Sequence, residues 1–219
     1  LVELSVSHYL LSRALESKGL SENDVTVVNT SDSDIAPAFL ANDEQKAVVT
    51  WNPLVMEILA TEGMTDIANS SMIPGEVLDM MVANTKTLEE SPELGKALAG
   101  AWYEVMDVMQ ADNEETGKAL AIMAESAGCS VDDYKAQLST TAMFYKAQDA
   151  VDYISSDEAV TKMDYVRNFC FSHGLLGENA SSVDLVGIKH ANGTIQGDSA
   201  NIQLIFDASY MQGAVKSAM

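Results

Sequence analysis

The sequence predicts an α/β protein built around a parallel sheet whose strands are joined by crossover helices. Three short apolar runs, "LVEL", "VTVVN" and "AVVTW", begin 24 and 22 residues apart, and a segment with helical periodicity follows each one. This spacing is typical of a strand plus a crossover helix. With 47% hydrophobic residues, the 219-residue chain is long enough for one large domain or two lobes with separate cores.

Start and stop signals support the helices of this first region. Ser7 is a typical N-cap residue for the first helix, and Gly19 suits the position just after its end. The second helix follows the polar loop "NTSDSD". In "WNP", Asn52 and Pro53 suit the N-cap and the first turn of the third helix. Residues 1–78 are therefore predicted to form one α/β ligand-binding lobe.

The turns between the predicted strands and helices are rich in polar side chains. Parallel strands joined by right-handed crossovers place such turns along one edge of the sheet, where open α/β sheets bind their ligands. We therefore expect the three turns to converge. The candidate ligand-binding residues in them are Ser5, Val6, Ser7, His8, Thr30, Asp32, Asp34, Trp51 and Asn52.

Residues 79–219 are predicted to contain a hinge, a return strand and the mostly helical part of a second lobe. The apolar run 77–82 is interpreted as the strand that leads across the hinge. Ser91 and Pro92 are expected to cap and open a long amphipathic helix.

Near the end of the chain, Ser156 is predicted to start another helix. A turn is expected at Asn192 and Gly193, followed by a strand over 202–206 and a final short helix.

The charge and hydropathy patterns exclude several classes of partner. A formal charge of −21 disfavours nucleic acid and anionic lipid surfaces, and it predicts a solvated acidic surface. The sequence contains no apolar run long enough for a membrane span, and no signal peptide is recognised at its start. Because the chain begins at Leu1, we expect it to be a mature or shortened piece of a longer protein.

The cysteines do not predict a metal centre. Cys129 and Cys170 form no CxxC motif, and "CFSH" pairs Cys170 with His173 without a second pair of ligands. Buried free thiols are the default expectation for both cysteines, and a single disulfide between them stays open.

Three segments of the sequence together resemble periplasmic substrate-binding proteins of ABC importers. They are "VELSVSHYLLSRALESKGLSENDVTVVNTSDSDIAPAF", "AVVTWNP" and "LDMMVANTKTLEESPEL". The branch is the one that handles nitrate, sulfonates and taurine, and the likeness is greatest to its urea-type or amide-type members. The resemblance implies a type II periplasmic-binding fold, a small-molecule ligand, a permease partner in the inner membrane and a periplasmic location. Members of that family carry a further N-terminal lobe, which we expect to be missing from this chain.

The side chains of the three turns suggest the class of ligand. His8 matches the "S-x-H-Y" position of the family. A carboxylate from Asp32 or Asp34 would accept hydrogen bonds from N–H groups, and Trp51 offers a face for a planar ligand. We therefore expect urea, an amide or a guanidinium compound to be bound between two lobes.

Other interpretations of the same residues stay open. Ser7, Asp32 and Asp34 suit helix capping alone, and Trp51 suits a place in the core. The ligand could instead be a sulfonate, taurine or nitrate. Two further alternatives for the function are an enzyme of the thiamine-pyrimidine-synthase-like branch and a purely structural protein. No catalytic residue, cofactor or metal ligand is predicted, since no nucleophile with a suitably spaced partner is found.

Overall fold

A computed structural model describes the backbone of residues 1–217 and the side chains of residues 1–215. The chain is a mixed α/β protein that is mostly helical and has one small mixed sheet. It divides into two compact units. The first unit comprises Leu1–Leu78 and Lys162–Ala180, and the second comprises Asp79–Thr161 and Ser181–Met219.

The helices follow one another through most of the chain. The α-helices are α1 (Val6–Glu16), α2 (Asp32–Leu40), α3 (Leu54–Leu59), α4 (Thr85–Glu90), α5 (Pro92–Gln110), α6 (Glu114–Ala127), α7 (Val131–Ser139), α8 (Ala147–Ile154), α9 (Asp157–Ser172) and α10 (Ser209–Ser217). Short 3-10 helices cover Glu22–Asp24, Ser70–Met72 and Val183–Leu185. Among the described residues, no helix is both long and apolar enough to cross a membrane.

The sheet lies in the second unit and is built from β1 (Gly187–Lys189), β2 (Ile195–Gln196) and β3 (Ile202–Ile205). Strand β1 is central, antiparallel to β2 and parallel to β3. The turn predicted at Asn192 and Gly193 joins β1 to β2, with Gly193 at a φ of 89°. The strand predicted over 202–206 is confirmed as β3.

The strands predicted for residues 1–82 are wrong. The three runs predicted to form the parallel sheet (1–4, 25–28 and 47–50) and the predicted hinge strand 77–82 form no strand in the part of the chain that the structure describes. Strands of a parallel sheet are normally buried on both faces, whereas the side chains of Val25 and Val28 are 39% and 49% exposed. A short β-branched run becomes a strand only where a neighbouring strand satisfies its N–H and C=O groups.

The core of the first unit forms where α1 meets the later part of α9. Tyr9, Ile73 and Phe169 are buried together, and the partly buried hydrophobic residues packed against them are Leu10, Val77 and Val166. The ring of Tyr9 meets the edge of Phe169 with 5.2 Å between their centroids. Residues distant in sequence therefore fix the position of α1.

The core of the second unit forms between α5, α8 and α10. Tyr103 and Met106 of α5 are buried with Ala147 and Ala150 of α8. The predicted cap at Ser91 is confirmed, since Ser91 is the N-cap of α5 and Pro92 occupies its first turn.

Candidate functional site

Ser5, rather than Ser7, caps α1. The Ser5 hydroxyl accepts a hydrogen bond from the Ser7 N–H at 3.1 Å and donates to the carbonyl oxygen of Val2 at 2.7 Å. The prediction of Ser7 as the N-cap is wrong because Ser5 is the last residue with an extended backbone, so Ser7 already lies in the first helical turn, where it is buried. Val6, between them, is 56% exposed.

His8 lies inside the first unit and not at its surface. His8 is 6% exposed, and its Nδ1 accepts a hydrogen bond from the Leu4 N–H at 3.1 Å. The other ring nitrogen, Nε2, lies 3.3 Å from a carboxylate oxygen of Glu22. The polar atoms of His8 therefore face neighbours within the same unit.

The second turn carries the two aspartates in the first turn of α2. Asp32 and Asp34 are both exposed, and the Asp34 carboxylate accepts a hydrogen bond from the Ser31 hydroxyl at 2.5 Å. Thr30, just before them, donates its N–H to the carbonyl oxygen of Leu1 at 2.9 Å. These carboxylates lie where the helix dipole favours negative charge.

The third turn combines an aromatic side chain with buried polar atoms. Trp51 is 39% exposed, whereas the Thr50 hydroxyl is buried and has no hydrogen-bond partner among the described residues. The prediction of Asn52 as the N-cap of α3 is wrong, since Pro53 occupies that position. The helix begins one residue later than "WNP" suggested.

The structure joins the first two turns directly. Main-chain hydrogen bonds link Leu1 to Val28 and to Thr30, and the Glu3 N–H donates to the side chain of Asn29 at 3.0 Å. Helices α2 and α3, which follow the second and third turns, pack against each other. Convergence of all three turns on one ligand stays a prediction.

Sequence reasoning missed a cluster that forms around His8. The two carboxylate oxygens of Glu22 lie 3.0 and 3.1 Å from His173 Nε2, and Glu22 also faces His8. Burial opposes ionisation of Glu22, but the hydrogen bond and charge of His173, together with His8 and Ser12, hold its pKa below the usual value. His173 is 151 residues from Glu22, so no local pattern links them.

A second buried carboxylate, Glu76, was also missed. Its side chain is 1% exposed, and it accepts hydrogen bonds from the Tyr9 hydroxyl and from Arg13. Lys162 Nζ lies 3.8 Å from Glu76 Oε1. Burial opposes ionisation, but the Arg13 and Tyr9 hydrogen bonds and the nearby positive charges keep the pKa of Glu76 below its usual range. Arg13 also lies over the Tyr165 ring, 4.2 Å from its centroid.

Comparison with known proteins places the chain in a family. The model of the family described as "NMT1/THI5 like" matches residues 1–116, just over half of the 219 residues. The chain belongs to the NMT1/THI5-like family. This membership is consistent with the nitrate, sulfonate and taurine type of binding protein, and the matched range contains every candidate ligand-binding residue. No curated protein and no solved structure matches the chain.

Proposed function

We propose that the chain is the solute-binding component of an ABC importer and that its ligand is a small planar nitrogen compound of the urea, amide or guanidinium type. The observation that carries this proposal is the NMT1/THI5-like match, which spans all three turns. In this role the chain works in the periplasm, binds its ligand without changing it, and delivers it to a permease in the inner membrane.

The exposed side chains of the turns support the class of ligand. Trp51 is 39% exposed, so its ring has a face on which a planar ligand can stack. Asp32 and Asp34 are exposed and would accept hydrogen bonds from N–H groups of the ligand. With a formal charge of −21, the chain repels nitrate and sulfonate, attracts a cation and does not repel a neutral amide.

The buried Thr50 hydroxyl beside Trp51 supports a polar ligand at the third turn. A buried hydroxyl without a partner is costly, by about 1–3 kcal/mol, and a small ligand with hydrogen-bonding groups on its edge could remove that cost. Ser7 and His8 are also buried, and in this proposal they shape the first turn around Ser5 and Val6.

Thermal melting with a panel of ligands tests the proposal. At about 100 times its dissociation constant, a true ligand adds about 2.7 kcal/mol of stability, which corresponds to a rise in Tm on the order of 5–10 °C for a chain of this size. We expect urea, a short amide or guanidinium at low concentration to raise the Tm more than taurine or nitrate does. Tight sulfonate or nitrate binding would contradict the class of ligand.

Matched variants locate the site. Asp34→Asn removes the charge but keeps the shape of the side chain, and Asp43→Asn makes the same change at another exposed position of the first unit. We expect Asp34→Asn to weaken guanidinium binding and Asp43→Asn to leave it unchanged. Equal affinity in both variants would contradict a role for the second turn.

An enzyme is the alternative within the same family, which includes thiamine-synthase-like members as well as binding proteins. Mass analysis of the ligand after incubation separates the two functions. A receptor returns the ligand unchanged, whereas an enzyme converts it.

A further inference from the structure

The three side chains of His8, Glu22 and His173, hereafter the His–Glu–His cluster, have the composition of a metal site. His8 Nε2 lies 3.3 Å from Glu22 Oε2, and His173 Nε2 lies 3.0 Å from Glu22 Oε1. One ligand atom from each residue falls within 4.8 Å of the others. All three residues belong to the first unit, where α1, the 3-10 helix Glu22–Asp24 and the end of α9 supply them.

The hydrogen bonds of His173 allow a tautomer whose Nε2 can bind a metal. Its Nδ1 lies 2.9 Å from the carbonyl oxygen of Phe169 and 3.0 Å from the Ser172 hydroxyl, so Nδ1 can donate to the first or accept from the second. When Nδ1 donates to the carbonyl oxygen, the lone pair of Nε2 faces the Glu22 carboxylate at 3.0 Å. A metal ion bound between Nε2 and the carboxylate would join these two acceptors.

His8 offers the second imidazole ligand. His8 is more than nine-tenths buried, and its Nε2, which is directed towards Glu22, has no hydrogen-bond partner among the described residues. A metal ion in the cluster would bind His8, Glu22 and His173 together.

We propose that the His–Glu–His cluster binds a divalent transition metal of the zinc class. Two imidazole nitrogens and one carboxylate oxygen are the ligands that Zn²⁺ takes in open sites, where water fills the fourth position. Zn–N and Zn–O bonds of about 2.0–2.1 Å place tetrahedral ligands about 3.3 Å apart, close to the separations found around Glu22. The hydrogen bond from His173 Nδ1 to a carbonyl oxygen is the usual support for a metal-binding imidazole.

Metal binding changes the hydrogen bonding of His8. Its Nδ1 now accepts from the Leu4 N–H, so a neutral His8 carries its proton on Nε2. When Nε2 binds a metal, the proton must lie on Nδ1, and the bond from Leu4 breaks. Leu4 has a φ of 61° and is 50% exposed, so the turn that holds it is strained and lies at the surface.

Calorimetric titration of the chelator-treated full chain with Zn²⁺, near neutral pH and in moderate salt, tests the proposal. We expect saturation at a single ion per chain. Glu22→Gln is expected to weaken binding by roughly 100-fold or more, since loss of even an outer partner of a metal ligand costs about 10- to 100-fold in affinity. Glu62→Gln, the same change at an exposed glutamate of the first unit, is the matched control.

Two outcomes would overturn the proposal. One is the absence of saturable binding. The other is weak binding at many sites that Glu22→Gln leaves unchanged, which would assign the ions to the acidic surface.

Two further measurements on the unaltered chain keep the test valid if Glu22→Gln does not fold. Co²⁺ is expected to give the strong visible absorption of a four-coordinate site, and Zn²⁺ is expected to speed hydrogen exchange of the Leu4 amide. A six-coordinate Co²⁺ spectrum together with an unchanged Leu4 amide would count against the cluster. The test does not depend on solute binding, because neither urea nor guanidinium is present.

Discussion

The Tyr9 hydroxyl donates to Glu76 Oε2 at 2.5 Å across 67 residues of sequence. Arg13, one turn further along α1, donates from Nε to the same oxygen at 2.8 Å. The buried glutamate is therefore held by two residues of a single helix, and its position fixes α1 against the segment around residue 76. Because the candidate turn immediately precedes α1, this contact sets where that turn lies.

Loss of the Glu76 charge is expected to destabilise the fold. Glu76→Gln should lower the free energy of unfolding by about 3 kcal/mol, the lower end of the range for breaking a buried ion pair, because the Arg13 side chain is 19% exposed. Tyr9→Phe should cost about 1.5–3 kcal/mol, the value of a hydrogen bond to a charged group. Calorimetric melting measures both effects without urea or guanidinium, which are candidate ligands.

The double variant tests whether the two residues act together. If the hydrogen bond carries the effect, Tyr9→Phe should cost much less in the Glu76→Gln background than in the unaltered chain. Strictly additive losses would show that Tyr9 contributes through packing against Phe169 alone.

Acid is expected to weaken the first unit through Glu22 and Glu76, whose pKa values both lie below the usual range. The unfolded chain, with a glutamate pKa of about 4.3, binds these protons more readily than the folded chain does. The stabilisation is complete above that pH and is lost as the pH falls through the folded-state pKa values. Calorimetry over this range should show a smaller loss of Tm for Glu76→Gln than for the unaltered chain. The same dependence of Tm on pH in both proteins would contradict the pairing of Glu76 with Arg13 and Tyr9.

Gly95 is expected to be required where α5 meets α10. A Cβ at this position would lie 2.5 Å from Cε1 of the Tyr210 ring, so Gly95→Ala must displace the ring. We expect a loss of about 1–3 kcal/mol, as for other overpacked sites. Gly100→Ala on the same helix has open space around the new atom and should instead stabilise by about 0.5–1 kcal/mol. Melting temperatures that shift in the same direction in both variants would disprove the contact.

The capping of α1 by Ser5 predicts unequal effects of two neighbouring serines. Ser5→Ala should cost about 0.5–2 kcal/mol, the usual value of an N-cap. Ser7→Ala should cost less, because Ser7 contributes a backbone N–H to the cap and alanine keeps it. A larger loss of stability for Ser7→Ala than for Ser5→Ala would instead support Ser7 as the N-cap, as expected from the sequence alone.

Two elements with local signals were predicted correctly, although the N-caps expected at Ser7 and Asn52 were each displaced. Ser91 and Pro92 correctly located the start of α5, and Asn192 with Gly193 correctly located the turn between β1 and β2. Such features depend on backbone preferences and capping within a few residues, so they can be recognised without knowledge of the tertiary fold.

The predictions failed where the outcome depends on distant partners. The run 25–28 has strand-forming residues, but it becomes a strand only if another segment pairs with it. His173 was considered with Cys170, its neighbour in sequence, whereas the structure brings it to Glu22, 151 residues away. Thr50 gave no sequence signal at all, because the significance of its hydroxyl depends on burial.

The proposed function depends most on three turns that together hold one small planar nitrogen ligand. Nuclear magnetic resonance titration with urea or guanidinium, at concentrations far below those that denature, tests this directly. We expect the amides of Thr30 and Asp34 and the indole N–H of Trp51 to shift together and to saturate with one dissociation constant. Saturable shifts at only one turn, or shifts that grow linearly across the whole chain, would contradict it.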